Sequence, residues 1–118
     1  MSEIAILVTA RHWTSHYEWY AHKRLALKGG MDPGIIEAIR DRRTPVFDDP
    51  KGQMIYDVAK SLHEGHGVSK ALYDKAVEAL TVRGVTEIIG LCGYYTMVSM
   101  TLNTFEFELP AGEVSDLA

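Results

Sequence analysis

Only one cysteine, Cys92, occurs among 118 residues. A lone thiol forms no internal disulfide, no Cys-x-x-Cys redox pair and no thiolate zinc cage. The lack of a disulfide framework suits a reducing, cytoplasmic setting. Charge of one sign is not concentrated either: 12 Lys and Arg stand against 16 Asp and Glu, for a net charge of −4. The nearest approach to a basic run, Arg40, Arg42 and Arg43, is interrupted by Asp41. A nucleic-acid binder needs a basic face to displace counterions from phosphates, so no nucleic-acid partner is expected. The apolar start, Ile4 to Val8, follows Glu3 with no basic segment before it, which makes a poor signal peptide. The longest uncharged run, Ile88 to Phe105, includes Gly90, Gly93, Thr96, Ser99, Thr101 and Asn103. A membrane span of about 20 residues is more uniformly apolar. The run therefore reads as a helix buried on most sides, with no membrane partner. No GxSxG elbow, P-loop or GxGxxG turn occurs.

Sustained period-two alternation is missing as well, and with it any convincing strand. What is present is helical spacing punctuated by proline and glycine. Ile4, Leu7 and Val8 form a first helical stripe, interrupted at Thr14-Ser15. Ser15 followed by Glu18 has the form of a capping box, so a second helix is expected from Ser15 to Lys28, ending at Gly29-Gly30. Asp32-Pro33 and Asp49-Pro50 each pair an N-cap with proline at the first helical position. Ile35, Ile36 and Ile39 line the first of these helices, and Met54, Ile55, Val58, Ala59 and Leu62 the second, which Gly65 and Gly67 stop. Ser69 caps a helix with Leu72, Tyr73, Ala76, Val77 and Leu80 on one side. A last helix is expected from between Thr81 and Val85 to about Asn103. The acidic tail, residues 106–118, with Pro110 and Gly112, is expected to be loose or docked on a partner chain. With no repeat or linker, residues 1–118 form one all-α domain of five to six helices. The last helix is apolar on several faces, which five short helices cover poorly, so a homo-oligomer is expected. The alternative is that this helix is the centre of a monomer.

Functional groups are densest from Arg11 to His22, RHWTSHYEWYAH. Glu18 and His22 are four residues apart and share a helix face. A carboxylate beside an imidazole favours the imidazolium and fixes its orientation, giving a proton donor or acceptor near neutral pH. Trp13, Tyr17, Trp19 and Tyr20 are candidate walls that exclude water. Simpler readings stand beside this one: Glu18 as the return half of the capping box, His22 as a solvated or hydrogen-bonded core histidine, the aromatics as core packing. His12 and His16 are also four apart, but the break at Thr14-Ser15 spoils their register, and His63 and His66 flank a helix end. No metal site is therefore expected. Cys92, with no local cation, reads as a small structural hydrophobe.

The segments EIAILVTARHWTSHYEWYAHKRLALKGGMDPGIIEAIR and GVTEIIGLCGYYTMVSMTLNTFEFELP resemble the carboxymuconolactone decarboxylase family, which is related to alkylhydroperoxidase D. The likeness spans most of Glu3 to Pro110. Redox members carry Cys-x-x-Cys-x-x-x-His. With the histidine placed on His22, the cysteine positions fall on Ser15 and Glu18, so thiol peroxidase chemistry is not expected. The match begins almost at Met1, which makes the chain N-terminally short relative to the family. The resemblance implies an alkylhydroperoxidase D-like helical bundle, obligately homo-oligomeric as a trimer or hexamer. It also implies a cofactor-free decarboxylation of a small anionic lactone from aromatic-acid breakdown. On that basis His22 is the general acid, Glu18 orients it and keeps it protonated, Arg11 anchors a substrate carboxylate, and Trp13 and Tyr17 bind substrate. Two other readings stay open: cysteine-independent hydroperoxide or isomerase chemistry, and a non-catalytic oligomeric binding domain.

Overall fold

The computed structural model describes residues 2–118, and among them there are five helices and no strand. These are α1 (Ser2–Trp13), α2 (His16–Lys28), α3 (Pro33–Arg40), α4 (Pro50–Gly65) and α5 (Lys70–Thr104). The most enclosed helix is α1, and not the last one. Every residue from Ile4 to Arg11 is buried, and α1 touches each of the other four helices. Its run Ile-Ala-Ile-Leu-Val-Thr-Ala explains this, because an all-round apolar helix must be covered on all sides. Thr9 fits inside because its hydroxyl donates to the Ala5 carbonyl at 2.8 Å, satisfying the buried polar group within the helix.

The expected breaks fall where the local chemistry places them, with changes of detail. Thr14 takes φ 47° between α1 and α2. Ser15 is the N-cap of α2, but its hydroxyl makes no capping bond and lies buried without a partner. The capping box does not form, because the Glu18 carboxylate turns to His22 instead. At the far end of α2 the left-handed residue is Gly30, φ 91°. There the Met31 N–H reaches back to the Ala26 carbonyl. Asp32 and Asp49 accept from Gly34 N and Lys51 N, as N-caps before proline should. His66, between two glycines, takes the left-handed position after α4, φ 61°. Helix α5 is broken at Thr81, whose φ 68° and ψ 168° are not helical. The hydroxyl there caps the second half by accepting from Gly84 N at 3.4 Å. Five helices thus become six segments.

The tail is docked on its own chain, contrary to the expectation of a loose or partner-bound end. Asp116 accepts the Trp19 indole N–H at 2.6 Å and pairs with Lys23 at 2.6 Å. Leu117 is 8% exposed within the core. The fully buried Trp19 supplies the reason: its N–H needs an acceptor that the helices do not provide.

Candidate proton-transfer site

In α2, Glu18 and His22 share the face packed towards α1. His22 Nε2 lies 3.1 Å from Glu18 Oε2 without the alignment of a good hydrogen bond, and this carboxylate oxygen has no other partner. A second carboxylate, which the spacing within α2 does not announce, completes the cluster. Glu3, in the first turn of α1, accepts from His22 Nδ1 at 2.9 Å. Both ring nitrogens therefore face carboxylates, so the imidazolium form is the one that satisfies them. The His22 side chain is 13% exposed, Glu18 9% and Glu3 23%. Burial pulls the His22 pKa down, but the Glu18 and Glu3 contacts and charges outweigh it, and the net shift is upward. The edge of Tyr95, from α5, packs against the ring at 5.1 Å between centroids.

Glu3 also lines an open cleft of about 490 Å³ bounded by α1, the end of α2, α3 and the start of α4. Asp32, Asp48 and Asp49 share its lining, with no Lys, Arg or His. The cleft is thus acidic, and it meets the cluster at its most exposed carboxylate.

The five expected site residues do not converge at one point. Glu18 and His22 are together. Arg11 sits eight residues beyond Glu3 on α1, about 12 Å along the axis, and lines a different cavity with Arg42, Lys60 and His63. Trp13 donates its indole N–H to Thr96, next to Tyr95 in α5, at 3.2 Å. Tyr17 packs edge-on against Phe107 at 4.8 Å and faces the tail. His12 and His16 part company: His12 stacks on His63, and His16 meets the Ser115 hydroxyl at 2.6 Å. Among the described residues, no three His, Cys, Asp or Glu side chains converge as a metal cage. Cys92 is buried, and burial pushes its thiol pKa up, away from thiolate reactivity.

Glu3 was missed because its contact is tertiary. The sequence offers one signal for it, an acidic residue directly before the apolar run Ile4 to Val8. No helix among the described residues is long and apolar enough to cross a membrane. Compared with protein-family profiles, curated proteins and solved structures, the chain matches none.

Proposed function

We propose that the chain is a cofactor-free acid–base enzyme of the carboxy-lyase type, similar to carboxymuconolactone decarboxylases and acting on a small anionic lactone in a cytoplasmic setting. One observation carries this reading: the His22 ring is held between Glu3 and Glu18 at 2.9 and 3.1 Å, mostly out of water. Decarboxylation of a conjugated lactone breaks the C–CO₂ bond. The electron pair passes into the lactone's conjugated carbonyl, and the resulting carbanion equivalent takes up one proton. A buried imidazolium is a suitable source of that proton. Glu18 orients the ring, and Glu3 exchanges protons between the ring and the open cleft. The acidic cleft repels an anion, so the substrate belongs on the α5 side, against Tyr95 with Trp13 nearby. Arg11 and Tyr17 face other parts of the surface and have no place in this arrangement.

The same reading includes a homo-oligomer. Ile89, Tyr94, Met97 and Met100 of α5 are each about half exposed or more. An apolar patch of this kind is characteristic of an interaction face. A second copy there would close the Tyr95 side against water.

His22→Gln tests the catalytic claim. It keeps a polar side chain but cannot carry the positive charge. Decarboxylation of a carboxymuconolactone should fall by about 100-fold or more with helical circular dichroism unchanged. A fully active variant would remove His22 from the mechanism. A second reading is favoured by the occupancy of both ring nitrogens: the cluster as a structural clamp between α1 and α2 in a non-catalytic oligomer. Under that reading the wild type shows no turnover, and His22→Gln lowers only stability.

A further inference from the structure

We propose that the cavity between the end of α1, the loop after α3 and the last turns of α4 binds a compact oxyanion, a phosphate or carboxylate group, at a site separate from His22. The cavity holds about 100 Å³, and its lining includes Arg11, Arg42, Arg43 and Lys60 against a single carboxylate, Glu64. On a chain of net charge −4 this is a local reversal of sign.

The internal pairing leaves two of these cations without an Asp or Glu partner. Arg43 is paired with Asp41 at 3.4 Å, and Lys60 with Glu64 at 3.9 Å. Neither Arg11 nor Arg42 has an Asp or Glu side chain within ion-pair distance among the described residues. Arg42 donates instead to the main-chain carbonyl of Arg11, at 3.3 Å. That bond holds the two like charges at the same end of α1. Arg11 is only 9% exposed, and its Nε is buried with no partner. Its two terminal nitrogens reach the main-chain oxygen of Ala118, the last residue of the sequence, at a long 3.4 Å each. Burial and the neighbouring Arg42 push its pKa down, against a smaller upward pull from the charge of Asp41. A buried guanidinium beside another cation, with one nitrogen unsatisfied, is costly unless an anion answers it. The planar fork of Arg suits the paired oxygens of phosphate or carboxylate.

The histidines in the lining agree with this. Thr9 gives its hydroxyl proton to Ala5, so it must accept from His63 Nε2–H at 2.7 Å. That places a proton on Nε2, and burial with the charge of His12, which lower the pKa to about 4, leave Nδ1 bare. The His12 ring stacks on it at 4.8 Å. Neither ring adds an anion to the cavity, and both can gain a proton when an anion arrives.

The test is titration of the full chain at low ionic strength with inorganic phosphate, and separately with acetate, with chloride as control. Arginine Nε–H and histidine ring resonances are followed by NMR. Saturable shifts of Arg11 Nε–H and the His63 ring are expected, with the stronger anion identifying the ligand class. Arg42→Gln and Lys60→Gln, both at exposed positions, should weaken binding by about tenfold, while the remote Arg83→Gln should not. No saturable shift with either anion, equal shifts with chloride, or unchanged affinity in both Arg42→Gln and Lys60→Gln would overturn the proposal.

Discussion

Two histidines in this chain are driven in opposite directions by their surroundings. For His22 the two carboxylates outweigh burial and the pKa rises above 6.5. For His63, burial and the neighbouring His12 lower it to about 4. The raised pKa of His22 means that its contribution to folding is fully present below pH 6.5 and is lost as the pH climbs through the folded value. His63 behaves in reverse: its contribution is full above pH 6.5 and is lost as the pH falls towards 4. Ring-proton NMR should therefore resolve one titration above 6.5 and one near 4. A His22 midpoint at or below 6.5 would mean that its carboxylates do not hold the charge. The pairing of Glu18 with His22 could be read from their spacing, because four residues along a helix bring side chains together wherever the helix lies. Glu3 could not, because nothing local says which residue of α1 will face which residue of α2. Arg11, Trp13 and Tyr17 do not gather around Glu18 and His22 for a related reason: proximity in sequence across the Thr14 break is not proximity in space.

Helices and their caps were the most legible features. Asp-Pro pairs, Ser69 and the Gly29-Gly30 stop act through the adjacent backbone, and they mark α3, α4, α5 and the end of α2 without tertiary information. The exception at Ser15 shows the limit, since a capping box needs a free glutamate and here a buried histidine takes it. Which helix occupies the centre was also not legible. The apolar crowding of α1 and of α5 look alike in sequence, yet α1 is enclosed while α5 keeps an open face. The break in α5 carries a measurable cost. Thr81 has φ 68° and ψ 168°, a region essentially reserved for glycine. Thr81→Gly should relieve the strain, offset in part by the greater freedom of glycine in the unfolded chain and by loss of the hydroxyl cap. The net expectation is a gain of up to about 1 kcal/mol in urea unfolding. A loss of more than that would show that the cap, and not the strain, dominates at this position.

At the scale of the whole molecule, the break also sets the shape. A straight helix of 35 residues would run about 52 Å, whereas the longest dimension here is 44 Å. The second half of α5 departs from the line of the first at Thr81 and leaves Ile89, Tyr94, Met97 and Met100 exposed. If this face joins copies of the chain, sedimentation should show a concentration-dependent oligomer. Met97→Lys, at a position 56% exposed, should shift it towards monomer with no loss of helix. A wild type that stays monomeric at high concentration would remove the oligomer from the proposed function. The all-α class followed from periodicity alone. The return of residues 106–118 onto their own chain did not, because it depends on Asp116 finding one buried indole.

That last contact gives the molecule an optical gauge. An indole shut away from water emits towards the blue, and Trp19 stays dark to solvent only while the segment bearing Asp116 lies across it. With Asp116→Ala, the orphaned N–H should cost about 1–3 kcal/mol, and the emission should move to longer wavelength as the segment lifts. Quenching by a small solute such as acrylamide would then climb for Trp19, while the half-covered Trp13 provides the baseline. Detachment of the acidic end could thus be followed in unlabelled protein, by light alone.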